Sequence, residues 1–156
     1  MKCEIEGVVI KGLVRNADGR GWLMELFRQD ELEEKHYPRM SYISLTEPGK
    51  VRGPHEHREQ TDFFVFFGES YFRLYLWDNR ESSPSFGKTF QLEAGDGEDL
   101  AVLVPPGVVH AYKNIGPSGG LVFNAPSRLY RGEDRRETVD EIRHEDDPDS
   151  PFKVPR

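Results

Sequence analysis

Residues 71–78 read Y-F-R-L-Y-L-W-D, and their alternation decides the fold class. Phe72, Leu74 and Leu76 share one side of an extended chain, while Tyr71, Arg73, Tyr75 and Trp77 share the other. That is the two-residue period of a strand with unlike faces. Working outward, comparable segments recur at 4–10, 21–28, 40–46, 51–57, 61–67, 88–93, 100–105, 109–114 and 120–125, separated by turns drawn from 15 Gly and 11 Pro. A single stretch, Gln29–Lys35, reads as a short helix. Many short strands, Gly/Pro turns and almost no helix predict an all-β antiparallel sandwich or barrel.

The 156 residues suffice for one domain with a core of its own, since a chain of this size buries roughly 68–70% of its unfolded surface. There are 28 acidic and 21 basic side chains, a net charge of −7. The segment 132–150 concentrates nine acids against three arginines, which reads as a solvated stretch. No block of Lys/Arg supplies the basic stripe of a nucleic-acid binder. The longest apolar run, Phe63 to Phe67, is five residues, against the ~20 a membrane helix needs. Cys3 is the one cysteine and MKCEIEGVVIKG carries no leader pattern, so the expectation is a cytoplasmic protein without disulfides. Of Phe63, Phe64, Phe66 and Phe67, the period of a strand turns one pair inward. The outward pair is expected to pack against a second subunit.

Chemistry gathers at three of the five histidines. His55 and His57 lie two apart in G-P-H-E-H, so on a strand both leave the same face. His110 follows a Pro-Pro-Gly turn in P-P-G-V-V-H-A-Y-K-N. Strand pairing that joins the two segments puts three imidazoles around one cavity, a set suited to metal ligation or to proton transfer near neutral pH. His36 and His144 stand apart and are read as packing or surface residues.

These segments resemble a family. Residues 55–68, H-E-H-R-E-Q-T-D-F-F-V-F-F-G, are similar to the first cupin motif with Asp62 in the glutamate place, and 105–114 match the second, PxGxxHxxxN. The resemblance narrows on G-R-G-W-L-M-E-L-F at 19–27, G-K-V-R-G-P-H at 49–55, D-N-R-E-S-S-P-S-F-G-K at 78–88 and E-D-D-P at 145–148. Together they look like dTDP-4-dehydrorhamnose 3,5-epimerase, over most of the chain. The resemblance implies a cupin double-stranded β-helix, or jelly roll, at 1–131, with 132–156 an acidic extension packing on the barrel or trailing from it. It also implies a homodimer.

Members of that family remove protons next to the ketone of a nucleotide-diphospho-4-keto-6-deoxyhexose and return them on the other face. By resemblance, His55 is the base, Arg20 and Arg52 hold the diphosphate, Glu25 meets the nucleobase, and His57, His110 and Tyr112 line the sugar pocket. Planar, permanently charged guanidinium groups suit phosphate oxygens. The family's acidic tyrosine falls on Phe123, its lysine on Thr61, and its orienting aspartate beyond Arg156. Tyr130 is therefore the candidate acid. The family reading needs no cofactor. Three other readings use the same residues: a cupin holding a divalent metal ion on His55, His57, Asp62 and His110, a nucleotide-sugar 3,4-ketoisomerase, and a sugar-nucleotide binder without catalysis.

Overall fold

The computed structural model describes residues 2–155, so expectations placed on Arg156 lie outside the described residues. Twelve strands form: β1 (Val9–Gly12), β2 (Asn16–Asp18), β3 (Gly21–Leu23), β4 (Tyr42–Thr46), β5 (Val51–Glu56), β6 (Asp62–Phe66), β7 (Tyr71–Asp78), β8 (Thr89–Gly95), β9 (Leu100–Val104), β10 (Val108–Asn114), β11 (Gly120–Asn124) and β12 (Ile142–Arg143). One five-stranded sheet runs β1-β9-β6-β11-β4 and a second runs β12-β5-β10-β7-β8, with β2-β3 a separate hairpin. All pairings are antiparallel. This is the jelly roll expected from the motifs.

The alternation of 71–78 holds residue by residue. Phe72, Leu74 and Leu76 turn into the space between the sheets, where they meet Phe64, Phe66, Val102, Val104 and Tyr112. Removing this apolar surface from water is the main force holding the two layers together. The other face of β7 is covered as well, with Trp77 beside Tyr75 and against Phe152.

Three expectations change. Gln29–Lys35 is not a helix but parts of two 3-10 turns, Gln29–Glu31 and Glu34–His36, because Leu32 and Glu33 between them are extended and no side chain caps either turn. The outward face of β6 meets its own chain: Phe63 and Val65 are covered by Leu13, Leu26 and Leu32, with Phe27 edge-on to Phe63 at 5.8 Å. The segment between β1 and β4 folds back over this sheet, so Phe63 needs no second subunit to leave water. Finally, the acidic segment is docked: β12 adds a strand to the edge of β5, pairing Arg143 with His55 and Ile142 with Glu56. No helix is long and apolar enough to cross a membrane among the described residues.

Candidate active site

The strand β5 meets β10 with His55 directly opposite His110, and a bulge follows between His110 and Tyr112. Close approach here depends on Gly53, whose φ is +82° and whose missing Cβ would stand 2.5 Å from the His110 carbonyl oxygen. The two rings are 4.5 Å apart and nearly perpendicular, and His57, one residue past β5, lies 5.8 and 5.9 Å from them. The expected trio is therefore assembled.

Asp62, at the start of β6, sits beneath it. Its Oδ2 is 2.9 Å from His57 Nε2 and 3.2 Å from His110 Nε2. Its Oδ1 accepts hydrogen bonds from Gln60 Nε2 at 3.0 Å and Asn124 Nδ2 at 2.9 Å. Each outer nitrogen is also held: His110 Nδ1 donates to the Val108 carbonyl at 3.0 Å, and His57 Nδ1 to the Asp140 carbonyl. His55 differs, since its Nδ1 is buried without a hydrogen-bond partner, and Glu141 and Glu145 stand 3.9 and 4.0 Å away.

The charges follow from these environments. Burial, with His110 close by, pushes His55 down to about 2, so the ring is neutral with a lone pair to offer. Burial also opposes charge on His57, but the Asp62 carboxylate and the Asp140 carbonyl outweigh it and lift the ring to about 9. Asp62 is fully buried, which alone would favour its acid form. Contact with His110 and His57 instead holds it well below the usual carboxylate range.

His55 and His57 open into a cavity of about 920 Å³ whose walls include Tyr42, Arg52, Tyr112 and Tyr130, whereas His110, expected to line the pocket, is buried behind them and does not reach its wall. Arg52 is braced by Thr46 Oγ1 at 3.0 Å and the Leu45 carbonyl at 2.7 Å. The hydroxyl of Tyr112 meets Ser44 Oγ at 3.0 Å. Tyr130, a residue 56% exposed, lines the cavity. Arg20 and Glu25 are elsewhere, paired with Asp18 and Arg28 respectively, and neither lines this cavity. Phe123 packs on the outer face of its sheet, in the cluster with Val65. Thr61 is held between His36 Nδ1 at 2.8 Å and Ser127 Oγ at 2.9 Å. His144 bonds Glu56, so both remaining histidines have packing roles.

Two contributors escaped the sequence reading. Tyr42 lies opposite Asn124 in the β4–β11 ladder, and its hydroxyl accepts from Asn124 Nδ2 at 2.9 Å. The alternation of Tyr42, Ser44 and Thr46 along 40–46 was its available signal. Asp140 carried none, being one acid among nine between 132 and 150.

The string S-S-P-S-F-G at 82–87 serves the fold at a distance from the histidines. Its Ser83 and Ser85 hydroxyls donate to the buried Asp78 carboxylate, which also binds Arg80 Nε at 2.7 Å.

The profile of the dTDP-4-dehydrorhamnose 3,5-epimerase family matches residues 2–147. The probable low-salt glycan biosynthesis epimerase Agl13 of Haloferax volcanii is 38% identical over 131 residues, 83% of each chain. The spore coat polysaccharide biosynthesis protein SpsL of Bacillus subtilis is 35% identical over 112 residues, 72% of this chain and 73% of its own. Among solved structures, a dTDP sugar isomerase from Desulfovibrio desulfuricans superposes with a TM-score of 0.80 at 23% identity, covering 96% of this chain and 91% of that one. At that identity the likeness speaks for the fold alone.

Proposed function

The chain belongs to the dTDP-4-dehydrorhamnose 3,5-epimerase family and is an isomerase of the epimerase kind, and from that premise we propose that its cavity takes a nucleotide-diphospho-4-keto-6-deoxyhexose. His55 removes a proton from a carbon beside the ketone, and Tyr130 returns one from the other face. Arg52 holds the diphosphate. The carrying observation is the state of His55: a neutral ring in the cavity wall, 4.5 Å from His110, whose buried Nδ1 no carbonyl or carboxylate holds, so that the ring is free to present its other nitrogen to the cavity. His110 and His57, by contrast, are tied to carbonyl oxygens and Asp62. Negative charge on the arriving diphosphate and on the forming enolate offsets the desolvation that keeps the free ring unprotonated. A crystal structure of the ChmJ 3'-monoepimerase of Streptomyces bikiniensis contains dTDP-quinovose, which supports a dTDP-sugar as the ligand to try first.

Two further elements of the reading have support of their own. A second copy of the chain is the natural cover for the edge strand β4, where Ile43 and Leu45 are 60% and 52% exposed beside Leu121 at 43%. A cytoplasmic setting suits Cys3, a free cysteine in a chain with no disulfide. The test of the reaction is deuterium wash-in from D2O into a dTDP-4-keto-6-deoxyhexose, read by NMR at C3 and C5. Incorporation that disappears in His55→Asn, with dTDP affinity kept within about threefold, is the expected result. Exchange that persists in that variant would remove His55 from the role.

A further inference from the structure

We propose that Glu56 and His144 are a positioning pair for the reaction: their hydrogen bond, made on the side of the sheet away from the cavity, latches β12 in the register that sets Glu141, Arg143 and Glu145 around His55. The inference rests on the reading of His55 as the base and adds two residues that touch no substrate.

The middle residue of H-E-H at 55–57 carries the latch. Successive side chains of a strand leave opposite faces, so His55 and His57 turn into the cavity while Glu56 turns away from it. There Glu56 is only 5% exposed, and a buried carboxylate needs donors. It has two: Asn79 Nδ2 and His144 Nε2 both donate to its Oε1 at 2.9 Å. The ring of His144 is braced in turn, edge-on to Phe152 at 4.7 Å, and Phe152 packs against Trp77 of β7.

β12 needs such a hold. It is two residues long, Ile142 opposite Glu56 and Arg143 opposite His55, and a pairing this short is marginal on backbone bonds alone. Side chains pin it at both ends instead: ahead of it the Asp140 carboxylate collects the N–H groups of Arg58, Glu59 and Gln60, and behind it stands His144. The residues held this way are cavity wall. Glu141, Arg143 and Glu145 line the cavity, whereas Ile142 and His144 do not. Glu141 and Glu145 reach to 3.9 and 4.0 Å from His55 Nδ1, and Arg143 Nε stands 3.2 and 3.6 Å from the same two carboxylates. A base that accepts a proton becomes a cation, so two charges of opposite sign and one of like sign set how readily His55 takes the proton and gives it up. Those energies depend on distance, and a misplacement of about 1 Å is enough to slow a reaction severely. Glu56 and His144 thus act on the rate through the surroundings of His55, from outside the reach of any ligand.

The experiment compares the full-length wild type with His144→Phe, which keeps an aromatic ring beside Phe152 and removes the donor, and with His144→Gln, which keeps a donor for Glu56. Deuterium wash-in is followed over a range of dTDP-4-keto-6-deoxyhexose concentrations, with rates scaled to the folded fraction from urea titration. His144→Phe should lower kcat by about 10–100-fold while KM stays within about threefold. His144→Gln should return kcat to within about fivefold of wild type. Amide hydrogen exchange at Ile142 and Arg143, read by NMR, should quicken at least about tenfold in His144→Phe and stay near wild type in His144→Gln. Should His144→Phe fail to fold, Glu56→Gln decides: it keeps an acceptor but loses the charge-assisted bond, and the same split is expected at about 3–10-fold. The proposal falls if kcat per folded molecule is unchanged, if the loss lies in KM, if His144→Gln is as slow as His144→Phe, or if amide exchange at β12 does not respond. The reading of His55 fails separately. Wild type that never exchanges deuterium removes the reaction, and the latch is then decided by amide exchange at β12 together with the NMR signals of the His55 ring, which should shift in His144→Phe and hold in His144→Gln.

Discussion

Asp140 holds His57 from 83 positions further along the chain, its carbonyl accepting the ring's Nδ1 proton. Its carboxylate meanwhile collects the backbone N–H groups of Arg58, Glu59 and Gln60 at 2.9 Å each. One residue of the acidic segment thus fixes both the loop after β5 and the histidine on it. Asp140→Ala is expected to lower stability by about 2 kcal/mol in urea titration, the scale of a charged hydrogen-bonding group partly open to water. Both variants keep the backbone carbonyl, and Asp140→Asn also keeps one side-chain acceptor for the loop N–H groups, so it should lose less. If loop anchoring matters to the site, deuterium exchange falls further in Asp140→Ala than the unfolded fraction accounts for.

Arg52 enters the cavity already braced by Thr46 and Leu45, which spares it the cost of ordering a long side chain when an anion arrives. Arg52→Ala should therefore weaken dTDP by about tenfold, the equivalent of ~1.4 kcal/mol. Equal affinity for thymidine in both proteins, measured by calorimetry, would locate the loss at the diphosphate. Unchanged dTDP affinity would take Arg52 out of that role.

Three tyrosines border the cavity, and their surroundings divide them. Tyr42 and Tyr112 bind Asn124 and Ser44, and burial pushes both hydroxyls up, Tyr42 to about 12. Tyr130 is open to solvent. Loss of a positioned acid costs about 10²–10⁴-fold, so Tyr130→Phe should cut inversion by that range while His55 continues to remove the proton. Deuterium would then enter with retained configuration. Inversion at the wild-type rate in Tyr130→Phe, with loss in Tyr42→Phe, would move the role to Tyr42.

How much of this was legible in the sequence depends on period and length. The strand over 71–78 was readable to the residue, because one buried and one differently covered face impose strict alternation. The meeting of His55, His57 and His110 was readable too, since each lies in a strand-and-turn motif. What escaped had no period to show. The two residues of β12 are too few to alternate, and 132–150 has the composition of a solvated stretch although tertiary contacts dock it. Counting from His110 to Phe123 also hid a geometric fact: Phe123 faces outward, whereas its neighbour Asn124 reaches Asp62. A one-residue step along a strand changes the face.

Gly53 faces the His110 carbonyl where β5 pairs with β10, and both its positive φ and that carbonyl exclude a side chain. Gly53→Ala must shift one strand against the other, at a cost of about 1–3 kcal/mol. Because the strain falls between His55 and His110, exchange activity should drop further than stability in the fraction that remains folded. Gly97, which has positive φ but nothing within 4 Å of its missing Cβ, serves as the control. Gly97→Ala should carry the backbone strain alone, about 1–2 kcal/mol, and leave exchange by the folded protein intact.

Asp78 makes the stability of this barrel sensitive to acid. Burial by itself favours the protonated form, but bonds from Arg80, Ser83 and Ser85 outweigh it and hold the carboxyl well below its ordinary 3.8. A carboxylate whose folded-state value is depressed stabilises fully above the unfolded value and loses that contribution as pH falls through the folded one. Asp78→Asn should therefore cost about 2–3 kcal/mol at pH 7. The difference from wild type should narrow steadily from near pH 4 down to pH 2 and below. Urea midpoints at pH 7, 5, 3 and 2 measure this directly. A gap that stays constant across the series would mean that the Ser83 and Ser85 hydroxyls grip Asp78 by shape rather than by charge.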